Sequence, residues 1–297
     1  MNTRSPHTAT AFALVVAVLA VSSSAPLIAF AAAPALAIAF WRNGIATAVL
    51  TPISLGPRRG ELRPRGALMF CVLAGVALAA HFATWMPSVQ LGSVATATAL
   101  VATQPVWQGL IAAAQGRRPS AAGWLGISLA VAGTAWATGV DVSVSGRAVL
   151  SDVLALLGAI AVAIYTALGE RARVELSTTT YTWICYGTCA IVLLAVCLIG
   201  HVSLGGYDRN TWLAILAIVA GAQLLGHSMF NYALHRASAT TVSVLALLEV
   251  PGATLIAWLW LRQQPRLAAL PGLVITMIGV AMVVLGARSA SAVVEDL

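Results

Sequence analysis

A single acidic residue, Glu249, stands within a long apolar run, in the sequence LLEVPGA. An ionisable side chain in hydrocarbon costs a few kcal/mol, so it usually faces a cavity or a partner. Pro251 follows two positions later, removes a backbone hydrogen-bond donor and disturbs the helix at the same depth. A carboxyl group beside loosened backbone can bind a cationic or hydrogen-bonding solute, or carry a proton. Glu249 is therefore predicted to be a substrate-binding and proton-coupling residue; the alternative is a glutamate that locks its helix to a neighbour.

Polar residues also align along other apolar runs. Gln223, His227 and Asn231 are spaced i, i+4, i+8 and so share one helix face, and His81 and Trp85 have the same spacing. These five residues are predicted to line a substrate-binding cavity. The alternative is hydrogen bonding between helices, worth about 0.6 kcal/mol per bond. No Asp, Cys or second His lies within one turn of either histidine, so no metal site is predicted.

Two further polar interruptions accompany prolines. Gln104 precedes Pro105, and its amide is predicted to bind substrate, with a proline kink and satisfied amides as the alternative. Three serines at 22–24 run up to Pro26, a pattern typical of binding sites in transporter helices. Tyr165 is a weaker candidate, because tyrosine in a membrane helix more often packs or lies at an interface.

Arg42 and four glycines have structural interpretations. Arg42 lies about seven residues into an apolar segment, roughly 10 Å along its axis, so its side chain is expected to reach the outer interface. Gly126 and Gly133, like Gly272 and Gly279, place small residues on one helix face and predict close helix packing.

The elements that must position these residues are membrane helices. The 297 residues are 60% hydrophobic and 8% charged, with a mean hydropathy of +0.92. Soluble domains carry about 25% charged residues, so this chain lacks the polar surface of a water-soluble globule. Its net charge of +7 does not indicate nucleic-acid binding, because the arginines form short clusters between apolar segments.

The fold class predicted is all-α: a polytopic membrane protein of about ten transmembrane helices. The apolar segments fall at 10–31, 35–54, 66–87, 92–114, 121–140, 149–169, 180–200, 211–234, 239–261 and 267–287. The first is interpreted as a retained helix rather than a signal peptide, since it is too long for a typical signal sequence. Arginines then divide unequally between the two sides. One side holds Arg4, Arg58, Arg59, Arg63, Arg65, Arg117, Arg118, Arg171, Arg173, Arg236 and Arg288; the other holds Arg147, Arg209, Arg262 and Arg266. The excess predicts that both termini are cytoplasmic, although the loop between the last two helices runs against the rule.

An internal repeat gives the predicted architecture. A shift of 146 residues places landmark residues of the first half on identical residues of the second: His81 on His227, Pro105 on Pro251, Pro119 on Pro265, Gly126 on Gly272 and Gly133 on Gly279. Five helices per half require the halves to insert with opposite orientation. We therefore predict two inverted repeats, residues 1–140 and 141–297, as in many secondary transporters.

Several stretches carry a family resemblance: AFWRNGIA, HFATWMPSVQLGSVATATALVATQPVW, SDVLALLGAIAVAIYTALGERA and GHSMFNYAL with SATTVSVLALLEVPGA. The chain resembles EamA-type members of the drug/metabolite transporter superfamily over nearly its whole length. The resemblance implies ten helices in two inverted repeats, cytoplasmic termini and a central cavity lined mainly by helices 1, 3, 4, 6, 8 and 9. It fixes no substrate, since that family handles amino acids, other metabolites and drugs.

The predicted function is secondary transport of a small metabolite, such as an amino acid or a drug-like compound, across the plasma (inner) membrane. Export is favoured, with proton coupling through Glu249 as an option. The partners expected are a small-molecule substrate and the lipid bilayer, with a homodimer left open, no nucleic acid and no cofactor. No G-x-x-x-x-G-K-[ST] motif occurs, so energy must come from a gradient or exchange. Phosphorylated substrates are disfavoured, because a phosphate would require several basic groups in the cavity and Arg42 is the one arginine within the apolar segments.

Two other classes of protein are the alternatives to a transporter. An intramembrane enzyme acting on lipid could use the histidines and Glu249, yet neither His-Glu-x-x-His nor Gly-x-Ser-x-Gly occurs. A membrane scaffold or sensor would leave the aligned polar residues unexplained. The chain is therefore predicted not to be an enzyme.

Overall fold

The computed structural model describes residues 6–62, 65–91, 100–138, 146–261 and 267–295, and over these ranges its regular structure is helical. The first half contains α1 (Pro6–Ser22), α2 (Ser24–Phe30), α3 (Ala35–Leu55), a 3-10 turn (Arg59–Leu62), α4 (Arg65–Leu91), α5 (Gln104–Ala114) and α6 (Ala121–Thr138). The second half contains α7 (Gly146–Ala172), α8 (Thr178–Ile199), α9 (Arg209–Ile218), a π-helix (Val219–His227), α10 (Ser228–Ala233), α11 (Ala239–Ala246), α12 (Glu249–Leu261), a 3-10 turn (Leu267–Ala269) and α13 (Leu270–Glu295).

Within the described ranges, seven helical segments are long and apolar enough to cross a membrane. They are Thr8–Ile28, Ala35–Leu55, Arg65–Ser88, Gly146–Ala172, Thr178–Ile199, Arg209–Ala233 and Ala239–Trp260. Shorter apolar helices cover Ala121–Ala137 and Leu267–Val283. The predicted all-α polytopic membrane fold is confirmed. The fourth predicted segment, 92–114, lies partly outside the described residues, so the count of ten and the repeat boundary at 140/141 stay predictions.

Capping side chains set where three helices of the second half begin. The Ser177 hydroxyl accepts a hydrogen bond from the Thr180 amide at the start of α8. The Asp208 carboxylate accepts one from Thr211 at the start of α9, and Ser238 caps α11 in the same way. Each cap satisfies an amide that the helix leaves unpaired at its first turn. The sequence thus starts these helices at defined residues near the ends of the apolar runs.

Helix packing follows the internal repeat. Adding 146 to the range of α4 gives the segment of α9, the π-helix and α10, and adding 146 to α1 falls within α7. In agreement, α4 packs along α7, and α1 packs along the π-helix and α10. Two other large contacts join elements to their own counterparts, α3 to α8 and α6 to α13, and α4 also packs along α8. This pattern is what a two-fold relation between the halves requires.

The glycines of α6 and α13 show the same relation at atomic distance. A Cβ on Gly133 would lie 2.6 Å from the Gly272 carbonyl oxygen, and a Cβ on Gly126 would lie 3.0 Å from the Gly279 carbonyl oxygen. Adding 146 to Gly126 and Gly133 gives Gly272 and Gly279, so the internal repeat relates these two contacts to each other. Close packing through the four glycines, as predicted, is confirmed.

Polar contacts divide the loops between two faces of the helix bundle. On one face Glu61 accepts a hydrogen bond from the Ser177 amide, and Arg117 forms an ion pair with Glu170 at 2.6 Å. On the other face the Trp41 indole donates to the Leu204 carbonyl oxygen, and the Ala32 amide donates to the Thr211 hydroxyl. The first face collects the loops that follow α3, α5 and α7, and the second collects the loops that follow α2 and α8. This is the alternation expected of a chain that threads a membrane.

Candidate functional site

A cavity of ≈ 610 Å³ lies between the two halves of the chain. It is lined from α1 to α5 in the first half, and in the second half from α7, from the last residue of the π-helix and from α10 to α12. Six of the seven predicted site residues line it: His81, Trp85, Gln104, His227, Asn231 and Glu249. The seventh, Gln223, is buried and is not among the lining residues. The structure therefore brings the predicted residues together, and their role in substrate binding stays a prediction.

Irregular backbone borders this cavity in both halves. The first helical segment breaks at Ser23, between α1 and α2, and Ser24 lines the cavity. Turn residues 102–103 precede α5, and turn residues 247–248 separate α11 from α12, within one residue of the position that the 146-residue shift gives. Non-helical backbone at membrane depth is tolerated where it lines a cavity, and broken helices form the sites of many transporters.

Arg42 does not reach the outer interface, so that expectation was wrong. Its side chain is 1% exposed, and its Nε donates a hydrogen bond to Oε1 of Gln223 at 2.6 Å. The guanidinium also lies over the Phe82 ring, 5.0 Å from the centroid, and Arg42 lines the cavity. The partner of Arg42 could not be predicted from local sequence, because Gln223 is 181 residues away and reaches Arg42 through tertiary packing.

The π-helix carries the residue that holds Arg42. Within Val219–His227 the backbone bonds run from i to i+5, an arrangement frequent at functional sites. Gln223 is fully buried there, and besides accepting from Arg42 it donates from Nε2 to Oδ1 of Asn43 at 3.0 Å. The predicted polar stripe is therefore split. Gln223 contacts α3, while His227 and Asn231 line the cavity.

Two buried donors on the cavity wall have no hydrogen-bond partner among the described residues. They are Nη2 of Arg42 and the indole Nε1 of Trp85. Trp85 is held in place by His81, whose ring stacks on the indole at 5.6 Å with an angle of 9°. His81 itself is fixed by a bond of 2.9 Å between Nδ1 and the Gly158 carbonyl oxygen, in which Nδ1 must carry the hydrogen because a carbonyl only accepts.

Paired polar side chains form another part of the lining. The Tyr165 hydroxyl and the Asn231 side chain are hydrogen bonded, with 2.8 Å between the hydroxyl and Nδ2. Gln104 donates from Nε2 to the Thr166 hydroxyl at 3.2 Å, which joins α5 to α7. Tyr165, given little weight from its residue type, is thus a lining residue. The bond between Gln104 and Thr166 also connects the two halves directly.

Glu249 is the first residue of α12 and lines the cavity directly after the turn at 247–248. Neither of the ion pairs found in the described part of the chain includes Glu249 or Arg42. Pro251 lies in the first turn of α12, where a missing amide is tolerated. A Cβ on the next residue, Gly252, would collide with Ser22, so α1 and α12 touch three residues along the chain from Glu249.

Comparison with known proteins bears on the whole chain. The model of the EamA-like transporter family matches residues 8–139 and, a second time, residues 149–285. The chain belongs to the EamA-like transporter family. This EamA-like chain is thus a multi-pass membrane protein of the drug/metabolite transporter type, and the resemblance stated from its sequence is confirmed.

Other comparisons with the EamA-like chain concern its fold. A solved structure described as "Crystal structure of protein" is similar with a TM-score of 0.80 and 20% sequence identity, covering 96% of this chain and 99% of that one. At this identity the likeness shows a shared fold. No curated protein matches the chain.

Proposed function

We propose that the EamA-like chain is a secondary transporter that binds an amino acid or a related small solute in the central cavity and exports it across the plasma membrane. One observation carries the proposal: a cavity of ≈ 610 Å³ enclosed by both repeats and bearing an acidic residue, Glu249, beside interrupted backbone. Two similar halves around a shared site can exchange conformations, which opens the site to either side in turn.

Glu249 is the residue proposed for substrate or proton binding. Its carboxyl group lines the cavity without an ion-pair partner in the described ranges, so it can accept a proton or the cationic group of a solute. Binding one or the other at the same group would couple solute movement to proton movement in the opposite direction. Such exchange supports export driven by the inward proton gradient.

The test is counterflow in proteoliposomes of purified protein. A thermal-shift screen against a metabolite library supplies the solutes, and counterflow is then measured with and without a proton gradient, in wild type and Glu249→Gln. The variant should lose most of the rate and the pH dependence. Glu175→Gln, the same chemical change at an exposed residue outside the cavity, is the matched control and should behave as wild type. An undiminished rate with unchanged pH dependence in Glu249→Gln rules out the role of that residue.

The same vesicles separate transport from lipid chemistry. A transporter relocates the solute unchanged, whereas an intramembrane enzyme converts its substrate. Recovery of the intact solute by mass spectrometry, together with unaltered vesicle lipids, is the expected result. A chemically modified lipid or solute that depends on the protein would contradict transport as the activity.

A further inference from the structure

We propose that the cavity recognises the zwitterion of an α-amino acid with an apolar side chain: Arg42 and Trp85 bind the carboxylate, and Glu249 binds the ammonium group. This inference rests on the proposed function for the cavity and names the class of solute it takes. It also gives Arg42 a role in binding.

The unpaired donors indicate an anionic ligand. Arg42 is 1% exposed, its Nε is occupied by Gln223, and its Nη2 has no partner among the described residues. The Trp85 indole nitrogen is a second buried donor without a partner among the described residues, and both Arg42 and Trp85 line the cavity. Buried donors are nearly always satisfied in proteins, so two unsatisfied ones at one cavity wall indicate a group that binds there. A carboxylate is a fitting acceptor, because guanidinium and carboxylate form strong charge-assisted bonds.

The charges of the cavity define the rest of the ligand. Among the described lining residues the formally charged groups are Arg42 and Glu249, and they do not pair with each other within 4.0 Å. A solute with one positive and one negative group would leave neither charge unpaired. A diamine, a dicarboxylate or a phosphate ester would leave an uncompensated charge inside the membrane, which is costly. The cavity therefore favours a zwitterion over these classes.

The remaining lining selects the side chain. Phe82, Phe230, Val242, Leu247 and Ala253 present apolar surface, and a bound side chain would contact them rather than water. A volume of ≈ 610 Å³ lies within the range of about 300–1,000 Å³ that is usual for small-molecule sites. Leucine and phenylalanine are of the chemical class that this lining fits.

The experiment varies the ligand first and the protein second. Binding of leucine, leucinamide, 4-methylpentanoate and isopentylamine to the purified full-length chain is measured by thermal shift and by competition. Leucinamide lacks the carboxylate, 4-methylpentanoate lacks the amino group, and isopentylamine lacks the carboxylate. Leucine should bind wild type at least about 30-fold more tightly than each analogue, because removing one partner of a buried charged pair leaves the other charge unpaired.

Variants then assign the carboxylate to Arg42. In Arg42→Gln the preference for leucine over leucinamide should fall to within about threefold, while Arg42→Lys keeps the charge and should retain part of the preference. Arg59→Gln, at an exposed arginine outside the cavity, is the matched control and should keep the wild-type ratio. If Arg42→Gln does not fold, the ligand ratios of wild type and Arg42→Lys still decide.

Three results would overturn the inference. These are equal binding of leucine and leucinamide to wild type, an unchanged preference in a folded Arg42→Gln variant, and no binding of leucine or phenylalanine. The proposed function fails in a different way: carboxylate-dependent binding without counterflow in vesicles would leave the site in place and remove transport. Counterflow of amines at a rate that Arg42→Gln does not change would leave transport in place and remove the proposed carboxylate site.

Discussion

The Nε of Arg42 donates a hydrogen bond of 2.6 Å to Oε1 of Gln223, and this contact joins helix α3 of the first repeat to the π-helix of the second. Gln223 also donates to Asn43, so one amide satisfies two buried polar side chains. Replacing it by a residue without hydrogen-bonding groups leaves the guanidinium short of a partner.

Gln223→Leu should therefore destabilise the protein. A hydrogen bond to a charged group contributes about 1.5–3 kcal/mol, so a clear fall in the thermal unfolding midpoint is expected, together with weaker solute binding. Gln223→Glu keeps an acceptor for Arg42 but loses the donor to Oδ1 of Asn43, so it should unfold between the leucine variant and wild type. It should still weaken binding of an amino acid, because its carboxylate competes for the guanidinium. Equal midpoints for the leucine variant and wild type would show that the contact adds nothing to stability.

The glycine contacts between α6 and α13 predict opposite effects for one substitution at two positions of α6. Alanine favours a helix over glycine by about 1 kcal/mol, so Gly123→Ala, where an added methyl meets ordinary contacts of 3.4 Å, should be neutral or stabilising. Gly133→Ala places the same methyl 2.5 Å from the Thr276 amide and should cost about 1–3 kcal/mol through overpacking. Thermal unfolding of both variants checks the difference. A stable Gly133→Ala variant would mean that the two helices are not packed this closely.

Much of the fold was predictable because its causes are local. Runs of apolar residues long enough to cross a bilayer mark the helices, and the shared spacing of His81 with His227 and of Pro105 with Pro251 marks the repeat. Interruption of helices beside the cavity also has a local cause at Pro105 and Pro251, so Gln104 and Glu249 could be placed near a site from sequence.

The prediction for Arg42 was wrong because its environment is set by tertiary packing. Its depth in the span is compatible with snorkelling, and the sequence does not show that Gln223 and Phe82 enclose it. The π-helix was not predicted either, and i, i+4, i+8 spacing alone did not indicate that Gln223 turns to α3 while His227 faces the cavity. Asn43 directly follows Arg42, and two adjacent polar residues in an apolar segment are a local signal of a buried polar contact.

Glu61 provides a prediction of pH dependence at the face that joins the two repeats. Burial alone raises the pKa of Glu61, but hydrogen bonds from Ser177, Thr180 and Arg58 outweigh it and lower the pKa to about 2. The ordinary value is about 4.3, so the stabilisation is fully present above pH of about 4.3 and is lost as the pH falls toward 2.

The measurement compares unfolding midpoints of wild type and Glu61→Gln between pH 3 and pH 7. Wild type should be the more stable protein at neutral pH, and the gap should narrow steadily below pH of about 4.3, because the carboxyl group of Glu61 becomes protonated in the unfolded chain while it stays ionised in the folded protein. Glu175→Gln makes the same chemical change at an exposed position of the neighbouring loop and serves as the matched control. A difference between wild type and Glu61→Gln that stayed constant over the whole range would refute the role given to the ionised carboxylate.

Sidedness can be tested at residues that the structure assigns to opposite faces. Arg59 and Arg118 belong to exposed loops on the face that holds the pairs of Glu61 with Ser177 and of Arg117 with Glu170, and Ser203 is exposed in a loop on the other face. The excess of arginine on the first face predicts that it is cytoplasmic. In a background without Cys71, Cys185, Cys189 and Cys197, which are buried, a membrane-impermeant maleimide added to intact cells should label Ser203→Cys. The same maleimide should label Arg59→Cys and Arg118→Cys only after the cells are permeabilised. Labelling of Arg59→Cys and Ser203→Cys from the same side would contradict both the threading of the chain and the shared cavity between its repeats.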